Sequence, residues 1–360
     1  MKIFVPGPIY VRNEVLQEMA NPMTFSHRSK EFTKLLNDVT PKLQKLLYTN
    51  NKVFISTSSG SGLMEAAIRN CVRKKCLNLV CGAFSDRWRQ MVLECGKESN
   101  AIEVEWGRGI GPEMVREELE KNSSEYDALC LTHNETSTGV MNPVEEIAEI
   151  MKDYPGITFM VDAVSSMAGV KIGVDESGID ICLASVQKCF GLPPGISVFS
   201  ASDKALEKSK TISGRGHYFD LQAFLKYYEK GQTISTPSIS HICALNKQMD
   251  FIFEEGLDNR FKRHKEMADI ARGWANKNFS MFPEKGFESI TLSVINNTKA
   301  LDISQINQKL KEKGKMIADG YGKIKGQTFR IAHMADLQVE DVKELLDDLD
   351  GIIKLIEEGD

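Results

Sequence analysis

The chain has 360 residues, 42% of them hydrophobic and 26% charged, with a formal net charge of −5. A mildly acidic balance with no clustered basic excess argues against nucleic acid as a partner. No apolar stretch is long enough to cross a bilayer, so no membrane association is expected. The eight cysteines form no CxxC pair and the N-terminus has no signal-peptide core, which predicts reduced thiols in a cytoplasmic protein with no metal site.

In chain order, an arm over 1–20 breaks at Pro6. Phe32, Leu35, Leu36, Val39, Leu43, Leu46 and Leu47 then recur at helical spacing, with a kink or restart expected at Pro41. From there to about residue 200, short apolar runs alternate with amphipathic stretches. The predicted strands are Val53–Ser56, Leu77–Val80, Ala101–Glu105, Ala128–Thr132, Ile157–Val161, Ile181–Ala184 and Ile196–Phe199. Leu63–Val72, Asp86–Cys95, Glu113–Lys121 and Pro143–Asp153 read as the helices between them. This alternation predicts an α/β fold, a mostly parallel seven-stranded sheet in a large domain spanning 21–255. Pro237–Glu255 reads as a long helix leading out of it. A smaller α+β domain over 256–360 follows: helix Arg260–Asn278, strand Ser289–Ile295, helix Ile303–Lys313, strand Thr328–Ala332, and a terminal helix with Val342, Leu345, Leu349 and Ile353 on one face.

In parallel sheets, ligands bind beyond the carboxyl ends of the strands. Three chemistry-bearing segments stand at such ends. Lys188 closely follows the run Ile181–Ala184, Asp162 ends the run before it, and Ser58-Ser59-Gly60-Ser61-Gly62 follows Val53–Ser56. A buried lysine is an imine-forming amine, an isolated carboxylate can hold a ring nitrogen protonated, and a glycine-serine turn opening a helix offers free amides to a phosphate. Together they suit pyridoxal 5′-phosphate. There is no Walker lysine and no GxGxxG, which disfavours nucleotide binding.

His133-Asn134-Glu135-Thr136-Ser137-Thr138-Gly139 crowds small polar groups after Ala128–Thr132. Thr136 can reach a cofactor there, while Glu135 and His133 read equally as braces of the loop. Phe84 suits stacking on a flat ring, although an aromatic at this spacing is more often core. Arg330, read as ending its strand, is a carboxylate fork or simply a surface arginine on an edge strand.

These segments resemble the class V (fold-type I) PLP aminotransferases, nearest to the alanine–glyoxylate and serine–pyruvate branch. The resemblance runs nearly end to end, through Pro6-Gly7-Pro8, His27-Arg28-Ser29, Met64-Glu65-Ala66-Ala67, His133–Gly139, Gln187-Lys188, Pro193-Pro194-Gly195, Thr236-Pro237 and Arg330-Ile331. It implies that Lys188 bonds the cofactor and shuttles the proton, that Asp162 pairs with the ring nitrogen, and that Ser59, Gly60, Ser61 and Gln187 hold the phosphate. Phe84 would stack on the ring, where the family often has tryptophan, and Thr136 would bond the phenolic oxygen. Arg330 would bind the substrate α-carboxylate with Gly7 of the arm nearby. It also implies a homodimer with shared sites, in which Gln232 and Ser235 reach the neighbour's phosphate. Three departures stand out: Ser58 at a frequent glycine, Ser61 at a frequent threonine, and Met334-Ala335 where Met-Gly or Leu-Gly is common.

The reaction implied is ping-pong transfer of an amino group between a small amino acid (alanine, serine or aspartate class) and a 2-oxo acid such as glyoxylate or pyruvate. A cysteine-desulfurase-like lyase of the same fold is the alternative, but such enzymes carry histidine where this chain has Gln187 and need a mobile cysteine. A non-catalytic scaffold is the third reading.

Overall fold

The computed structural model describes residues 1–21 and 24–358. Its centre is a seven-stranded sheet in the order Lys52–Ser56, Ser197–Ala201, Ile181–Ser185, Thr158–Asp162, Ala128–Thr132, Lys75–Val80, Glu98–Glu103. Ser197–Ala201 runs antiparallel to both its neighbours, and every other pairing is parallel.

The inner strands are buried on both faces, which explains their unbroken apolar runs. The two-residue period sends Leu129, Leu131, Phe159, Val161, Cys182 and Ala184 into one core. Ala128, Cys130, Met160, Ile181 and Leu183, from the same strands, fill a second core on the opposite face. The first core continues into a five-stranded sheet through Leu292, Val294, Phe329 and Ile331. That sheet has the order Lys2–Phe4, Lys315–Asp319, Thr328–Ala332, Leu292–Asn296, Ser280–Met281.

Several elements differ from the sequence reading, each for a physical reason. Helix Lys30–Leu46 continues through Pro41 without a restart, because Pro41 and Asn37, whose carbonyl loses its donor, both face solvent. Ser29 opens that helix by accepting from the Phe32 amide. The edge strand is Glu98–Glu103 rather than Ala101–Glu105: its polar start pairs Glu98 with Lys75, and an edge strand needs no apolar run. Helix Gly60–Cys71 and helix Ala83–Glu94 each begin three residues before the expected start, inside their glycine-serine turns. Arg330 lies at the centre of Thr328–Ala332, an inner strand, not at its end or on an edge. Strands Lys2–Phe4 and Lys315–Asp319 and helices Asn13–Ala20, Asp203–Lys210 and Leu221–Tyr228 were not foreseen.

The connection from Asp162 to Ile181 is a crossover between parallel neighbours, with Met160 opposite Ile181. It brings Asp162 and Lys188 to the same end of the sheet. Helix Ile239–Glu255 packs against Asn13–Ala20 and Lys30–Leu46.

Candidate active site

A cavity of about 270 Å³ opens at the carboxyl ends of the central strands. Its wall includes Ser59, Gly60 and Ser61 on one side, Asp162, Gln187 and Lys188 at the base, and Gly7, Phe84 and Thr136 around the mouth.

Ser59 caps helix Gly60–Cys71 without spending its hydroxyl on it, and the first turn carries no acidic side chain. The amides there face the cavity with the helix dipole's positive end. A Cβ at Gly60 would come to 2.8 Å from Val164 Cγ2, so only glycine lets this backbone approach. Ser58 is turned inward: its hydroxyl donates to Ser56 Oγ at 2.9 Å and lies 3.0 Å from Ser197 Oγ. The departure at 58 is therefore a tie to the sheet.

Asp162 is almost fully buried, and its Oδ1 accepts from the Val164 amide at 2.8 Å. Burial pushes its carboxyl up to about 7; the Val164 amide opposes the shift, Glu135 adds to it, and Lys188 opposes it weakly. Lys188 is half-buried, Nζ donating to the Pro6 carbonyl. Desolvation lowers its ammonium to about 8, with the positive charge of Arg330 the next cause. Gly7 sits at φ +106° against the lysine stem, where a Cβ would meet Lys188 Cδ at 2.7 Å. Gln187 Oε1 accepts from Ser185 Oγ at 2.5 Å, and its carbonyl holds Ile9.

The polar loop divides its labour. Glu135, fully buried, accepts from Ser85 N at 2.8 Å, Phe84 N at 3.1 Å, Ser85 Oγ at 2.9 Å and Ser137 Oγ at 2.6 Å. It caps helix Ala83–Glu94, so it braces the loop and fixes the start of the helix that carries Phe84. Thr136 Oγ1 lies 2.5 Å from Ser165 Oγ. Asn134 donates to Ser165 O and Thr291 Oγ1, which leaves its buried Oδ1 without a partner beside the cavity.

Three sequence-predicted residues do not line this cavity. Arg330 donates to Asp319 O at 2.9 Å with its guanidinium 5.4 Å over the Tyr321 ring, near enough for its charge to act on Lys188. Gln232 and Ser235 lie elsewhere. Gln232 Oε1 accepts from Arg28 at 2.8 Å, and Ser235 O accepts from Thr233 Oγ1 at 2.8 Å. Two residues escaped the sequence reading: Arg87, which lines the cavity, and Tyr321, whose ring stacks on Phe84 at 5.1 Å. Arg87 lies one helical turn after Phe84, a spacing that places both on one face.

The residues fit pyridoxal phosphate. A nearly inaccessible carboxylate with one amide donor calls for a cationic partner, an amine of lowered basicity stands beside it, and a helix start free of acid waits for an anion. Cys189, by contrast, is buried with Sγ toward Ser165 O and its thiol pushed up to about 11, which does not suit a mobile sulfur nucleophile.

The family model of class-V aminotransferases matches residues 10–321. An uncharacterized aminotransferase of Methanocaldococcus jannaschii is 39% identical over 92% of this chain and 87% of its own length. An L-aspartate–glyoxylate aminotransferase of Paracoccus denitrificans is 32% identical over 93% of this chain and 86% of its own. A crystal structure of alanine–glyoxylate aminotransferase from Nostoc superposes with a TM-score of 0.90 at 27% identity, covering 98% of this chain and 94% of that one. The chain belongs to the class-V aminotransferases, and is a fold-type I, pyridoxal-phosphate-dependent transaminase.

Proposed function

We propose that the enzyme moves an amino group between a small amino acid of the alanine, serine or aspartate class and a short 2-oxo acid such as glyoxylate or pyruvate. The observation that carries this is the conjunction, in one cavity, of Lys188, Asp162 and the acid-free helix start at Gly60. Bound there, pyridoxal phosphate supplies an electrophilic carbon and an electron-withdrawing ring. Lys188 Nζ, with its lowered basicity, gives and takes the proton at the substrate's α-carbon. Asp162 holds the proton on the ring nitrogen, and Thr136 orients the phenolic oxygen. Ser59, Gly60, Ser61 and Gln187 hold the phosphate, Phe84 covers the ring, and Arg330 takes the α-carboxylate with Gly7 shaping the entry. Relatives named for serine–glyoxylate and aspartate–glyoxylate transfer support the choice of substrates.

The organisation proposed is an N-terminal arm over 1–20, a large domain over 21–255 and a small one over 256–360. Gln232 and Ser235 lie outside their own chain's cavity in a segment held by Arg28, with Thr236 exposed. That placement supports a homodimer in which each chain lends this segment to the other's phosphate, across an interface of roughly 2,000 Å² or more. Eight free cysteines, six of them buried, suit a reducing cytoplasm. No helix among the described residues is long and apolar enough to cross a membrane.

The test is a panel of amino donors against glyoxylate, pyruvate and 2-oxoglutarate, with the visible absorbance band followed in parallel. Turnover with a small donor and a band that borohydride abolishes is the expected result. Absence of both overturns the reading. For the shared site, mixing inactive Lys188→Ala with a Gln232/Ser235 double variant restores activity if the segment acts in trans.

A further inference from the structure

Two guanidinium groups, Arg87 in the cavity wall and Arg330 beside Tyr321, pair with no carboxylate among the described residues. Arg330, in the proposed reading, is reserved for the α-carboxylate that every amino donor carries. Arg87 is surplus to that need. It lines the cavity, donates to Tyr321 Oη at 3.0 Å, and lies 4.9 Å over the Phe84 ring. Among the described residues its partners are uncharged, whereas Arg89, two residues on, pairs with Asp86 and Glu103. Arg87 faces the cavity instead, where an anionic ligand would supply the counter-ion it lacks.

Tyr321 fixes where that ligand must sit. Its hydroxyl holds Arg87, and its ring lies under Arg330. One side chain therefore links the two charges, and a ligand that meets both carries two carboxylates rather than one. The planar fork of Arg87 suits a carboxylate in bidentate fashion. The Phe84 ring, which stacks on Tyr321, gives the cavity an apolar surface beside Arg87, as a donor's methylene requires.

Given the transamination reading above, we infer that Arg87 binds the distal carboxylate of an acidic amino donor, so that the preferred donor is a short amino diacid and Tyr321 is the positioning residue for that recognition.

The test uses the holoenzyme. kcat/KM is measured for aspartate, glutamate, alanine, serine and O-phosphoserine in wild type, Arg87→Ala, Arg87→Lys and Tyr321→Phe. Binding of succinate and of propionate is measured by titration calorimetry on the same proteins. Wild type should favour aspartate over alanine and succinate over propionate. Arg87→Ala should lower both ratios about 10- to 100-fold, the scale of one charged hydrogen-bonded pair, chiefly through KM. Arg87→Lys should fall between, since a point charge keeps attraction but not the fork, and Tyr321→Phe should weaken the ratio less. Ratios unchanged by Arg87→Ala overturn the assignment. So does a wild-type preference for alanine or serine, which leaves the transaminase reading standing. A preference for O-phosphoserine that depends on Arg87 overturns the carboxylate in favour of a phosphate. Loss of cofactor from Arg87→Ala without a change in either ratio assigns Arg87 to the cofactor and also overturns it. If no donor turns over in wild type, it is the transaminase reading that fails.

Discussion

Two buried carboxylates stand near enough for one charge to act on the other, and they are opposites. Glu135, 0% exposed, is saturated by amides and hydroxyls from residues 84, 85 and 137. Asp162, 4% exposed, has one amide, and burial raises it to about 7. The first is a finished piece of architecture, a negative charge placed at a helix N-terminus where it belongs. The second is incomplete until a cation arrives. Burial alone does not separate a structural acid from a functional one; the count of satisfied acceptor positions does.

The sharpest way to test that contrast is to remove the nearest amine. Lys188→Ala should abolish turnover and the borohydride-sensitive band while the fold persists, checked by steady-state assay and circular dichroism; a variant that cycles at the wild-type rate breaks the assignment. Glu135→Ala should do the reverse, costing stability first. It strands the amides of Phe84 and Ser85 and the hydroxyl of Ser137, a loss of roughly 3–5 kcal/mol by denaturant titration. Asp162→Asn should keep the cofactor, read by its absorbance, and lose on the order of 100-fold in kcat, because an amide cannot keep a ring nitrogen protonated. Unchanged turnover there removes Asp162 from the chemistry.

The smallest effect is one of pH on the cofactor-free protein. The folded Asp162 carboxyl titrates near 7 against 3.8 unfolded. Between those values the native state binds more protons than the unfolded one, so this group makes stability fall as pH rises from about 4 to about 7. Lys188 acts in the other direction and higher up: its folded value of about 8 against 10.5 makes stability rise with pH across that window. Thermal melts from pH 4 to 10 should show the lower slope weakened in Asp162→Asn and the upper one lost in Lys188→Ala.

The parts of the site legible in sequence share one property: each marks the end of an apolar run by a residue that does not belong in a core. That held for Lys188, Asp162 and the turn at Ser59–Ser61, where strand period and residue type speak together. The edge strand from Glu98 was misplaced because half-exposed polar residues carry no such mark. Arg87 and Tyr321 were invisible for a different reason. They lie on a helix of the large sheet and a turn beside the small one, and nothing local to either tells that 234 residues of chain fold back to join them. The loop His133–Gly139 was seen as unusual, but its division into a brace at Glu135 and a cavity wall at Thr136 needed the third dimension.

Strand Lys2–Phe4 pairs in parallel with Lys315–Ile317, and the carbonyl of Pro6 meets the Lys188 amine. The lysine's back wall and the strand that anchors it thus lie some three hundred residues apart along the chain. The strands of the central sheet all lie between residues 52 and 201, so that sheet can close before Lys315–Asp319 exists, and the pinning of this wall by its partner strand lags behind it. A pulse-chase of cofactor capture against chain length would register that delay as a step appearing only after Asp319 has emerged.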